Sequence, residues 1–423
     1  MGFFSRLRKK DKKQHAISLD IGTEYVKTVI FRVEDGYGVA VGSAREKQKL
    51  SDMHGGAVTD ISGVIRNCEA AIDQAAQEAG IVPDQVVVGI AGELVKGVSN
   101  TISHVRKKPQ DRLTQTEIQE IISVVQQQAL EMNKQALAWE TGHTEIDVQL
   151  VNSAVVSMSI DGYRVQNPLG FTGRNVTISV YNSFAPIVQL GAIQTVVEAL
   201  GLDLLSVAAE PYAVSRCLGQ EESADLSGIF VDIGGGTTDI AVVRGGGLEG
   251  TKMFALGGRT FTKRLSNDLK MSFKEAEDIK IEYSSGKLAD RKKEAVAKAL
   301  ASDASIWLSG VELALDEFSQ SERFTDNKVM PPRIYLCGGG SLLPEIKKAL
   351  QSEGWYTSLP FPRKPDVIFL KPESVVNIKD ETGRLTSTQD VTPMSLANLA
   401  LELVGDTSLK DKISHKVMSG LRS

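Results

Sequence analysis

The chain has 423 residues, enough at ~150 per domain for two or three domains with buried cores of their own. Its 48 Lys and Arg stand against 53 Asp and Glu, a formal net charge of −5, with 42% hydrophobic and 24% charged residues. That balance excludes a disordered, collagen-like or disulfide-dense chain and gives no overall electrostatic reason to bind nucleic acid.

Cys68, Cys217 and Cys337 are too far apart for a metal-ligand motif and read as small buried hydrophobes in a reducing compartment. No apolar run approaches the ~18 residues of a membrane span, so a cytoplasmic protein is expected. Residues 1–14 form a basic tail, in which Arg6, Arg8, Lys9, Lys10, Lys12 and Lys13 against Asp11 give a local charge of +5. The short apolar patch before these charges lacks the apolar core of a signal peptide and is not expected to act as one.

Residues 16–31, AISLDIGTEYVKTVIF, predict a strand ending at Asp20, a tight glycine turn and a second strand. Residues 228–243, GIFVDIGGGTTDIAVV, predict the same hairpin around Asp232. The two aspartates are half a chain length apart, so two related domains are expected, each opening its sheet with this hairpin. Gly22, Gly234, Gly235 and Gly236 let the backbone approach a polyphosphate, and successive N–H groups of a tight turn make an anion-binding concavity. Thr23, Thr237 and Thr238 add hydroxyl donors, and Lys27 is expected to face the phosphates. A carboxylate at each strand end orients the waters that Mg²⁺ retains, which makes Asp20 and Asp232 metal candidates through water.

The Gly245–Gly247 run reads as a surface hairpin tip. Residues 334–350, IYLCGGGSLLPEIKKAL, predict a strand, a turn of Gly338, Gly339 and Gly340, and a helix. Ser341 is placed to cap that helix, with Pro344 in its first turn, and a helix N-terminus suits close approach by a nucleotide. In 407–423, Leu409, Ile413, Val417 and Leu421 recur every four residues. Lys410, Lys412, Lys416 and Arg422 against Asp411 make that helix basic by +3. It reads either as an interfacial helix on an anionic membrane or as one packed on the domain or a partner.

LDIGTEYVK, VDIGGGTTDIA and LCGGGSLLP, in this order, resemble the first phosphate, second phosphate and adenosine motifs of the actin-like ATPase superfamily. SVAAEPYAVSRC (206–217) resembles its first connecting helix, in which Glu210 takes the position beside the hydrolytic water. AEDIKIEYSSG (276–286) resembles the adenine-flanking segment, implicating Glu277 and Lys280. Within the superfamily, residues 16–405 resemble the bacterial cell-division FtsA family. QVVVGIAGELVKGVSN (85–100), NPLGFTG (167–173) and LGGRTFTKRLSNDLKMSFKEAEDIKIEY carry that likeness. The stretch 355–390 matches no part of the family pattern, and the terminal helix lacks the family's aromatics.

The resemblance implies an α/β, ribonuclease-H-like two-domain ATPase fold with an inserted IC (SHS2) subdomain. It implies domain I over 15–84 and 180–215, the insertion over 85–179, and domain II over 216–390. A second connecting helix would follow over 391–405 and the terminal helix over 406–423. ATP and Mg²⁺ are the implied ligands, with at most slow hydrolysis. The implied partners are an FtsZ-like division GTPase, further copies in a filament and the inner face of the cell membrane. A related reading is a PilM-like scaffold binding a pilus membrane-protein peptide. A metabolic kinase or phosphatase would need a substrate-binding insert, which is not recognisable.

Overall fold

The computed structural model describes residues 15–92, 94–141, 147–219, 226–320 and 329–404. Both basic ends, and with them the expected terminal helix, lie outside the described residues.

The first half runs β1 (His15–Ile21), β2 (Tyr25–Glu34), β3 (Tyr37–Lys47), the short pair β4 (Met53–His54) and β5 (Ala57–Val58), α1 (Ile61–Ala79) and β6 (Gln85–Ile90). An inserted layer follows: β7 (Lys96–Val105), α2 (Gln115–Thr141), β8 (Val148–Ile160), β9 (Tyr163–Arg164) and β10 (Asn175–Pro186). The chain then returns through α3 (Ile187–Ala199), β11 (Asp203–Ala209) and α4 (Glu210–Ser215). The second half has β12 (Gly228–Ile233), β13 (Thr238–Arg244), β14 (Gly247–Phe254), α5 (Gly258–Leu269), α6 (Phe273–Ser284) and α7 (Asp290–Gln320). It closes with β15 (Arg333–Cys337), α8 (Pro344–Gln351), β16 (Asp366–Phe369), β17 (Ile378–Asp380) and α9 (Val391–Val404).

The first sheet has the order β11-β6-β1-β2-β3-β17 and the second β16-β15-β12-β13-β14-β7-β10-β8-β9. Each is built on one plan. β1 and β12 pair antiparallel with the next strand of their hairpin, and that strand pairs antiparallel with a third. On the other side each central strand carries two parallel neighbours, β6 and β11 or β15 and β16. The half-chain repeat is thus a repeat of sheet topology, and the fold is actin-like α/β. Apolar runs such as Val86–Val87–Val88 and Ile229–Phe230–Val231 are almost wholly buried, as central parallel strands covered on both faces require.

Three boundaries differ from expectation. β6 lies between β1 and β11 in the first sheet, so the insertion begins beyond Ile90; the buried valines of β6 need that double cover. The insertion ends later than expected, because β10 pairs with β7 and β8 along its length to Pro186. β17 leaves the second half to pair parallel with β3. There Gly38 N–H donates to Asn377 O (2.7 Å), and Ile378 closes over the space that Gly38 leaves. The inserted sheet buries Val176, Ile178 and Val180 against Ile118, Ile121 and Ile122 of α2. Arg106, buried there, is held bidentately by Glu117 (2.8 and 2.9 Å). The three cysteines are free and buried, and Gly245 and Gly246 form the β13–β14 turn at positive φ.

Candidate functional site

The two hairpin turns close with the same bond. Gly22 N–H donates to Tyr25 O (3.2 Å) and Gly234 N–H donates to Thr237 O (2.9 Å). The turns meet tip to tip across a cleft of about 450 Å³, within the ~300–1,000 Å³ usual for small-molecule sites. A Cβ on Gly236 would lie 2.7 Å from Thr23 Oγ1, so only glycine permits this approach.

Four buried carboxylates and one lysine lie behind the turns. Asp20 sits opposite Lys27 in the β1–β2 register, and Lys27 Nζ donates to Asp20 Oδ2 at 2.8 Å. Asp232 and Asp239 face each other in the same way on β12 and β13. Thr392, at the start of α9, donates its hydroxyl to Asp232 Oδ2. Glu210 opens α4 beneath them, its Oε1 near the Cα of Gly89 on β6. Burial opposes the Lys27 charge, but Asp20 and then Asp232 outweigh it and raise its proton affinity. Burial, followed by the neighbouring carboxylates Asp20, Asp239 and Asp232, holds Glu210 well above the usual carboxylate range. Asp239 is raised well above that range by burial and then Asp232; burial also raises Asp232, against the pull of Lys27.

One cation among four acids leaves a buried site short of positive charge. Glu210 Oε1 and Asp239 Oδ1 are buried with no hydrogen-bond partner among the described residues. No cluster of three His, Cys, Asp or Glu among the described residues is close enough to ligate a metal directly. Buried carboxylates at the ends of β1 and β12, with the unpartnered oxygens of Glu210 and Asp239 beside them, are a donor set that fits a divalent cation held through its own water, the mode that suits Mg²⁺.

The other end of the cleft is lined by Glu277, Lys280, Ile281, Ser284 and Ser285 of α6 and its C-cap, facing Gly338–Gly340, Leu342 and Leu343. α6 starts on a capping box formed by Ser272 and Glu275. Lys280 Nζ donates to Gly258 O (2.9 Å), Thr262 Oγ1 (2.7 Å) and Glu277 Oε2 (2.8 Å). A second depression of about 310 Å³ beside Arg264, Asp303 and Trp307 contains none of these residues.

Asp20, Gly22, Thr23, Lys27, Glu210, Asp232, Gly234, Gly235, Thr237, Glu277, Lys280, Gly338, Gly339 and Gly340 all line the cleft. Gly236 is set against Thr23 at the turn contact instead. Ser341 is no helix cap: α8 begins at Pro344 without a side-chain cap. The Ser341 hydroxyl, fully buried, donates to Gly338 O (2.7 Å) and lies 3.1 Å from Thr388 Oγ1, so it braces the turn from behind. Thr238 is likewise spent in the core, donating to Leu256 O (2.6 Å) and accepting from Trp307 Nε1 (2.9 Å). Sequence reasoning missed Asp239, Arg45 and Gln389. The register of TTDIA opposite Asp232 was the one available signal for Asp239.

Residues 229–383 match the family model for cell division protein FtsA, so the match takes in 355–383, most of the stretch expected to lie outside the family pattern. The FtsA of Neisseria meningitidis is 28% identical over 64% of this chain and 62% of its own length. The Pseudomonas aeruginosa FtsA is 27% identical over 63% and 60%. The FtsA of Streptococcus pneumoniae is 24% identical over 87% of this chain and 80% of its own length. The chain is FtsA-like. It thus spans about three-fifths of the length of the Neisseria and Pseudomonas relatives. Among solved structures, a PilM–PilN type IV pilus biogenesis complex superposes with a TM-score of 0.61 at 18% identity, over 92% of this chain and 98% of that one. The ethanolamine utilization protein EutJ of Carboxydothermus hydrogenoformans gives 0.50 at 18% identity, over 95% and 93%. These likenesses establish the actin-like fold for the FtsA-like chain.

Proposed function

We propose that this FtsA-like chain binds ATP in the cleft, polymerises, and links an FtsZ-type division ring to the cytoplasmic membrane. The observation that carries the nucleotide half is the meeting of two glycine turns, closed by the same bond, over a carboxylate-rich wall with one lysine. In this reading the amides of Thr23, Gly235 and Thr237 hold the phosphates, the Gly22 and Gly234 N–H groups being spent on closing the turns, and Lys27 lies between them. Mg²⁺, when bound, supplies charge neutralisation at the phosphates. Asp20 and Asp232 orient its waters. Glu210, whose buried carboxyl has a high proton affinity, positions the attacking water and receives its proton. Glu277 and Lys280 form the wall beside the base. Slow turnover would make the nucleotide a switch of domain closure.

The division half rests on the likeness to FtsA proteins. Among the described residues no helix is long and apolar enough to cross a membrane; the attachment proposed here is by the basic segments 1–14 and 406–423, which carry the charge to meet an anionic surface. A second reading, a scaffold that binds a membrane-protein peptide, is favoured by the superposition on the PilM–PilN complex. Two measurements test the proposal. Asp232→Ala should sharply weaken a fluorescent ATP analogue in the presence of Mg²⁺; equal affinity in both proteins refutes the site. Full-length protein should co-sediment FtsZ onto anionic liposomes. Failure to do so, with capture of pilus membrane-protein peptides, moves the assignment to the second reading.

A further inference from the structure

Arg259 stands second in α5, and its backbone N–H donates to Gly235 O (2.8 Å), which pins it to the second hairpin. Its guanidinium reaches across to the first half of the molecule. There it donates to Thr23 O (Nη2, 2.6 Å), Glu24 Oε2 (Nε, 2.7 Å) and Met53 O (Nη1, 3.1 Å). One side chain thus joins the second turn to the first turn and to β4. Both members of the ion pair are largely shielded, at 16% and 14% exposure, where a charge-assisted bond is stronger and less screened than at the surface. The turns touch beside it: a Cβ on Gly235 would lie 2.7 Å from Glu24 Cβ. Lys47 steadies Glu24 from its other side at 3.3 Å. The three acceptors are met by three different nitrogens of the planar guanidinium, a spread that the single nitrogen of a lysine does not reproduce, so lysine is no equivalent here.

We propose that Arg259 is a positioning residue that latches the two phosphate hairpins and sets how long a nucleotide stays between them. The inference rests on the nucleotide-binding reading above. Arg259 lies in the LGGRTFTKRLSNDLK stretch that carries the family likeness, but the sequence does not show its contacts, because its partners lie 235, 236 and 206 positions away.

The test is a stopped-flow chase of a methylanthraniloyl ATP analogue by excess ATP, with amide hydrogen exchange of the nucleotide-free proteins alongside. Arg259→Ala and Glu24→Gln should each speed release about tenfold, the scale of a hydrogen bond to a charged group. The double variant should release no faster than Arg259→Ala, since both remove one contact. Arg259→Lys, which keeps charge but not the fork, should fall between. Exchange should rise together in 20–25 and 233–238 of Arg259→Ala and stay unchanged in β15. Parent-like release, additive effects of the two single changes, or protection lost throughout both domains would each overturn the latch. If the parent itself binds no analogue, the nucleotide reading fails separately. Hydrogen exchange then decides alone: a joint rise in the two hairpins supports the latch, and no rise refutes it.

Discussion

Replacing Glu210 by Gln removes a carboxyl that the fold holds at a cost. Its Oε1 is buried without a hydrogen-bond partner among the described residues, and Asp20, Asp239 and Asp232 all disfavour its charge. Leaving such a group unsatisfied costs about 1–3 kcal/mol. A Gln amide instead presents N–H donors to acids, so the substitution should stabilise the nucleotide-free protein by about that amount at pH 8. The pH dependence follows from the direction of the shift. A carboxyl whose proton affinity is raised on folding binds more protons in the folded than in the unfolded chain, so its contribution to stability falls as pH rises. That loss begins near the ordinary carboxylate range and is complete only above the raised folded value. Gln does not titrate. The advantage of Glu210→Gln should therefore be small near pH 4 and grow through neutrality, reading as a few degrees in melting temperature at pH 8. Thermal melts of both proteins from pH 4 to 8 measure it. A stabilisation that is independent of pH, or a loss of stability at pH 8, would refute the charge argument. ATP affinity should survive and hydrolysis, if present in the parent, should disappear; lost affinity would assign Glu210 to binding instead.

Other substitutions separate cleft residues from residues that brace it. Gly338 has φ +80°, and a Cβ there would collide with Asp232 Oδ1. Gly338→Ala should therefore lower both thermal stability and analogue affinity; a parent-like melt with parent-like affinity contradicts the close approach. Thr238→Val strands the indole N–H of Trp307, which is fully buried. It should cost about 1–3 kcal/mol of stability, measured by denaturant melts followed through tryptophan emission, while analogue affinity stays at the parent level. A selective loss of affinity would place Thr238 back among the phosphate ligands.

The parts of this site that were legible in the sequence are those made by neighbours along the chain. A strand ending in Asp, a glycine turn and a returning strand determine their own hairpin, and the repeat at half-chain spacing determines that there are two. The third glycine turn was readable for the same reason, whereas Glu210 was reached only through the family resemblance of its segment. Tertiary structure decided what through-space neighbours decide. Ser341 has the local signature of a helix cap, yet its hydroxyl is taken by Gly338 O and Thr388 Oγ1, the latter 47 residues away. Thr238 follows Thr237 in the turn sequence, but strand alternation sends its side chain to the opposite face, onto Trp307. β17 reads as a polar stretch of the second half and becomes an edge strand of the first sheet, because Gly38 leaves room for Ile378. Arg259 looks like any surface arginine until its fork finds Thr23, Glu24 and Met53. A backbone turn is fixed by the φ and ψ angles its own residues permit. A buried polar side chain is fixed by whichever partner folding brings within ~3 Å of it, and that partner is not written beside it.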